Sequence, residues 1–172
     1  MPSDILTIVL SAFATNARPP TVRPVSPTDE SELVVLYLRS YPPDIGAQDL
    51  DEARAEIRAT FAGEFGVLRL DSSFVAVDSG RVVGAVLVVE RSIWDDDLDG
   101  PFIIDLFVDP DARGRGHGRR LVEAALAACV ARGDETLSLR FGEVPPRRRS
   151  GCTKASVSRN EWRRRVSGER RR

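Results

Sequence analysis

The sequence predicts a mixed α/β (α+β) chain: a twisted, mainly antiparallel sheet flanked by helices, with a C-terminal part that leaves the pattern incomplete. Three observations carry this expectation. Apolar residues recur at helical spacing between residues 28 and 65. Three runs rich in Val, Ile and Phe, each bounded by turn residues, follow between 73 and 108. A glycine-rich stretch then opens an amphipathic helix. With 172 residues, 42% hydrophobic and 30% charged, the chain has a globular balance and suits one domain.

Residues 1–20 read as an N-terminal extension in which Ile5–Phe13 forms a short helix, closed by Arg18-Pro19-Pro20. Thr21–Val25 reads as a short strand. Pro27-Thr28-Asp29-Glu30 supplies a helix start, with Ser26 or Thr28 as cap and acids in the first turn. Leu33, Leu36, Tyr37 and Tyr41 share one face until Pro42-Pro43 stops that helix. A second helix spans Gln48–Phe65, where Leu50, Ala53, Ile57 and Phe61 recur. After Gly66 the period becomes that of strands, over Ser73–Asp78, Arg81–Arg91 and Phe102–Val108. The turn Asp78-Ser79-Gly80 and a longer acidic one at Trp94–Gly100 join them as an antiparallel meander. A helix then runs to Arg132 with an apolar stripe through Leu121, Val122, Ala125, Leu126 and Cys129. Gly133 ends it, and Thr136–Arg140 begins another strand.

Several classes of function are excluded by composition. No stretch reaches the ~18 uncharged apolar residues of a spanning helix. The nearest, Ile5–Ala14, is preceded by Asp4 and no basic residue, unlike a signal peptide. Cys129 and Cys152 cannot build a disulfide framework, and no Cys/His cluster has metal spacing. The expectation is a cytoplasmic, metal-free chain without membrane contact. Lys154 is the only lysine among 25 basic residues, a mark of G+C-rich coding rather than of function.

The stretch Leu106-Phe107-Val108-Asp109-Pro110-Asp111-Ala112-Arg113-Gly114-Arg115-Gly116-His117-Gly118-Arg119 joins a strand to a helix. Glycines there let a ligand approach the main chain, and the helix start offers unpaired N–H groups and partial positive charge. A phosphate or diphosphate suits such a place, and Arg113, Arg115 and Arg119 add formal charge around it. No Lys follows the glycines, which excludes a P-loop. A dinucleotide fingerprint fails because Arg119 or Leu121 stands where its third glycine belongs. His117, the only histidine, is read as a turn residue that contributes its main chain.

These residues resemble the GNAT superfamily of acyl-CoA-dependent N-acyltransferases. Its motif [Q/R]-x-x-G-x-[G/A] is met by Arg113-x-x-Gly116-x-Gly118, and its prelude L-x-V-x-P by Leu106-x-Val108-x-Pro110. The resemblance covers about residues 22 to 140. It implies acetyl-CoA as co-substrate, with the diphosphate on the amides of Arg113, Gly114, Arg115, Gly116, His117, Gly118 and Arg119. It also implies that the strand Leu106, Phe107, Val108 binds the pantetheine arm and helps polarise the thioester. The acceptor is then an amine, attacking directly in a ternary complex. Asp105, an acid inside an apolar run, is the candidate base or amine anchor, and Tyr37 and Tyr41 are candidate acceptor-pocket residues. A homodimer is compatible with the sequence, which does not fix the oligomeric state.

Beyond residue 140 the resemblance breaks. The family expects a helix carrying Leu-Tyr-Glu-x-Leu-Gly-Phe, whose tyrosine often protonates the departing thiolate, but no tyrosine follows Tyr41. Residues 141–172 instead hold 11 basic and 3 acidic residues, a net +8 against −9 for residues 1–140. Codons formed from the last base of one residue and the first two of the next, from Gly151 to Ser158, can spell Leu-Tyr-Glu-Ser-Leu-Gly-Phe. The basic, poorly ordered tail is therefore read as a frameshifted version of the family's C-terminus. The competing reading is a nucleic-acid arm, poorly supplied with aromatic residues and binding only non-specifically. Two functions follow for residues 21–140: an N-acetyltransferase, or a catalytically impaired CoA-binding remnant whose tail touches nucleic acid.

Overall fold

A computed structural model describes residues 4–12, 21–42 and 45–141 of the chain. Six strands form one sheet in the order β1-β6-β5-β4-β3-β2: β1 (Asp4–Val9), β2 (Val22–Pro24), β3 (Phe74–Asp78), β4 (Arg81–Val89), β5 (Phe102–Val108) and β6 (Thr136–Phe141). All neighbours are antiparallel except β5 and β6, which run parallel. The helices are α1 (Glu30–Ser40), α2 (Leu50–Ala62) and α3 (His117–Arg132).

Local chemistry explains most boundaries. Ser26, rather than Thr28, caps the entry to α1, through a single 3-10 turn at Pro27–Asp29. Its hydroxyl accepts from the Thr28 amide, while the Asp29 carboxylate accepts from the Ser26 amide at 2.8 Å. Asp29 is buried and gripped at 2.7 and 2.8 Å by both guanidinium nitrogens of Arg23, which hold its carboxyl below the usual range. Asp49 caps α2 by accepting from the Glu52 amide at 2.8 Å. Gly133, at φ +83°, closes α3 in the left-handed conformation expected of a helix-ending glycine.

Every residue of β5, and all of β4 beyond Arg81, is buried, because both sheet faces are covered. On one face α3 packs over Val86, Val88, Ile103, Leu106 and Val108; on the other, α1 packs over β4 and β5, and α2, packed on α1, adds Ala53 and Ile57 to a core with Val75, Leu87, Ile104 and Phe107. No described helix is long and apolar enough to cross a membrane.

The N-terminal run departs from expectation. The short helix anticipated for Ile5–Phe13 is instead strand β1 followed by a 3-10 turn at Leu10–Ala12. β1 lies antiparallel to β6 from Asp4↔Phe141 to Val9↔Thr136. Leu6 and Ile8 face the α3-side core, Ile5 and Val9 face outward, and the Thr7 and Ser138 hydroxyls meet at 2.8 Å across the pair. A short apolar run does not reveal its period unaided, and here Ile, Thr and Val tilt it toward strand. The tail at 142–172, with its frameshift and nucleic-acid readings, lies outside the described residues.

Candidate active site

The first group of anticipated site residues lies on β5. Its pairing with β4 runs the length of the strand, but β6 pairs with it only at Phe102 and Ile103 before the two diverge. Among the described residues, β5 from Ile104 to Val108 therefore pairs with no strand on that side, although the Val108 carbonyl accepts from Arg113 Nε at 3.1 Å. Leu106 and Val108 send their side chains into the α3-side core and Phe107 into the other. What lies along the open edge is the main chain of Leu106 and Val108, while that of Phe107 faces Ala85 of β4.

A β-bulge aims Asp105. The register with β4 passes from Leu87↔Asp105 to Val88↔Ile103, skipping Ile104, so Ile104 and Asp105 turn successively toward the α1/α2 face. There the Tyr41 hydroxyl donates to Asp105 Oδ1 at 2.8 Å, with Asp105 1% and Tyr41 8% exposed. Burial first, and then the Asp105 charge, push the Tyr41 phenol well above its ordinary pKa, so it stays a donor. Tyr37, fully buried, lies with its ring 5.0 Å from that of Tyr41 at a tilt of 57° and edge-on at 5.6 Å from Phe107. The structure thus brings Asp105, Tyr41 and Tyr37 together, with both tyrosine rings packed in the core.

The loop after β5 turns once at Pro110–Ala112, where the Asp109 carboxylate accepts from the Asp111 amide at 3.0 Å. Gly114 and Gly116 then sit at φ +79° and +81°, a backbone conformation that favours glycine. No side chain caps α3 and its first turn holds no acid, so the carboxylate beside its positive end is that of Asp78, 3.9 Å from His117 Nε2 and paired with Arg115. Among the described residues, the amides from Gly114 to Arg119 find no backbone acceptor; Arg120 is the first that does, on Gly116 at 3.1 Å. An open cavity of about 270 Å³ lies over this point. Val108, Arg113, Gly114, Gly116, His117, Gly118 and Arg119 line it, with Ala112, which the sequence did not mark. Leu106, Phe107 and Arg115 do not.

The three arginines are not loose charges. Arg113 turns inward, donating to the Ser40 carbonyl at 2.7 Å and to that of Val108 at 3.1 Å. Arg115 pairs with Asp78 at 2.8 Å and Arg119 with Glu123 at 2.7 Å, both in exposed pairs weak enough to exchange for a ligand's oxygens. His117 is 5% exposed, and its Nε2 has no hydrogen-bond partner. Burial first, then Arg120, push its pKa below the ordinary value, so the ring is neutral at pH 7. Among the described residues, no group of His, Cys, Asp and Glu could hold a metal ion.

A family model for the acetyltransferase (GNAT) family matches residues 32–148, a span that contains the cavity loop, β5 and most of α1. The fold is shared with solved structures. A GCN5-related N-acetyltransferase from Sphaerobacter thermophilus superposes with a TM-score of 0.60 at 18% identity, over 94% of this chain and 46% of that one. A GNAT family acetyltransferase from Brucella melitensis, in complex with acetyl-CoA, gives 0.53 at 20% identity over 73% and 90%. A GNAT family N-acetyltransferase from Escherichia coli, in complex with CoA, gives 0.50 at 27% identity over 71% and 62%. This chain therefore spans less than two thirds of the Sphaerobacter and Escherichia chains. No curated protein matches it.

Proposed function

Because the chain belongs to the acetyltransferase (GNAT) family, we propose that it transfers an acetyl group from acetyl-CoA to an amine of a small molecule or peptide, by direct attack in a ternary complex. The unit that does this is residues 21–140, with β1 added to its sheet edge. One observation carries the reading above the rest. An uncapped helix start with two left-handed glycines and a run of free amides opens on a cavity sized for a diphosphate. The complexes of the Brucella and Escherichia proteins with acetyl-CoA and CoA support the choice of ligand.

The amides from Gly114 to Arg119 hold the diphosphate, with Arg115 and Arg119 released from their exposed partners to join it. The pantetheine arm adds to the open β5 edge as an extra strand would, its amides pairing with main chain at Leu106 and Val108. Held there, the thioester carbonyl is polarised by a β5 amide as its oxygen gains charge in the transition state. The acceptor nitrogen bonds to the carbonyl carbon, the carbon–sulfur bond breaks, and the pair leaves on sulfur. Asp105 anchors the ammonium and takes its proton, with Tyr41 orienting the carboxylate. The general-acid tyrosine expected of the family has no counterpart after Tyr41, and this favours the second reading, a CoA-binding chain with impaired turnover.

Acetyl-CoA turnover with a panel of small amines and basic peptides, followed by release of free thiol, tests the assignment. Thiol release that depends on the amine supports the transferase. Thermal stabilisation by CoA without release supports the impaired form.

A further inference from the structure

Three consecutive residues at the end of α1 each grip a different point of β5 or of the connection from it to α3. Arg39 Nη2 donates to Asp109 Oδ1 at 3.2 Å and to Asp111 Oδ2 at 2.8 Å. The Ser40 carbonyl accepts from Arg113 Nη2 at 2.7 Å, while Nε of the same guanidinium donates to the Val108 carbonyl. Tyr41 Oη donates to Asp105 Oδ1. Between 64 and 73 residues of sequence separate the partners. The contacts are well placed to transmit shape. Asp109 is 6% exposed, and its carboxylate also caps the 3-10 turn that leads into the glycines. Ser40 is equally buried, and its carbonyl belongs to the last turn of α1, where a helix leaves acceptors open to a cation.

We propose that the last turn of α1 is a clasp that sets the conformation of the phosphate loop, with Arg39 as a positioning residue that governs acyl-CoA affinity without touching the ligand. This rests on the acyl-transfer reading above and extends it to the acceptor. One end of the clasp holds the proposed amine anchor Asp105 and the other holds the loop, so ordering either end lowers the cost of ordering the other. Amine and acyl-CoA then bind with mutual reinforcement, equal in both directions. Arg113, in the cofactor motif itself, serves this clasp through its side chain and the ligand only through the shape it maintains.

The test is calorimetry with CoA on the full chain and on Arg39→Ala, Arg39→Lys and Arg58→Ala, with hydrogen exchange of residues 109–119 measured without ligand. Arg58 carries a comparable surface pair, to Glu30 at 2.8 Å, away from the loop. Arg39→Ala is expected to weaken CoA binding by about five- to tenfold, the range of modest coupling, and to speed exchange in the loop. Arg39→Lys recovers part of the affinity, and Arg58→Ala matches the parent chain. Equal affinity in Arg39→Ala and the parent, unchanged loop exchange, or equal losses in Arg39→Ala and Arg58→Ala would overturn the clasp alone. A parent chain that binds no CoA overturns the acyl-transfer reading, and the clasp with it.

Discussion

The Tyr41–Asp105 contact shows what a single residue can and cannot announce. An acid inside the apolar run of β5 is visible in the sequence, because a buried carboxylate needs a partner. Its partner, 64 residues earlier, is not, and neither is the bulge that turns it toward that partner. Arg39 carried no signal at all; it is one exposed arginine of many until the loop folds against it. Tyr41→Phe removes one donor from a buried carboxylate, so denaturant unfolding is expected to show a loss of about 1–3 kcal/mol. His117 gives a second prediction. Its pKa is lowered in the fold, so below its ordinary value of 6.5 the unfolded chain takes up a proton that the native ring refuses. Stability from this residue is thus present above that pH and is lost as pH falls through it. Melting temperatures recorded from pH 7.5 to 5 should decline more steeply for the parent than for His117→Gln; parallel curves would contradict the account.

At the scale of elements, most of the sheet and all three helices were legible because their signals are local. Turns, caps and the helical repeat fix α1, α2, α3 and the meander to within a few residues. β1 was misread because its five apolar or β-branched positions fit either period, and its partner β6 lies some 130 residues away. The strand makes a sharp prediction by alternation. Ile8, packed on the core, should cost about 1–2 kcal/mol when changed to Ala, a discounted value for a partly buried side chain. Val9→Ala, at a position 61% exposed, should leave the melting temperature within ~2 °C. Equal losses at both positions would contradict the strand.

For the whole molecule, two cores on opposite faces of one sheet bring the proposed amine side and the proposed cofactor side together at β5, the strand both share. The geometry of the loop was the most legible part of the candidate site because it is main-chain geometry, written in glycine positions. The arginines were the least, since formal charge does not say whether a guanidinium faces a ligand or the chain's own carbonyls. The frameshift reading of residues 141–172 predicts that the gene's alternative frame runs through Leu-Tyr-Glu without an early stop; sequencing codons 138–160 checks it.

The central claim is that the main chain at 114–119 grips a coenzyme's diphosphate, and titration calorimetry of CoA against the parent and Gly116→Val addresses it most directly. A side chain at φ +81° is strained by roughly 1–2 kcal/mol and drags the amides out of line, so affinity should fall by at least about tenfold. Saturable heat in the parent that shrinks in the variant is the predicted result. No saturable heat in the folded parent, or an undiminished affinity in Gly116→Val, would contradict it.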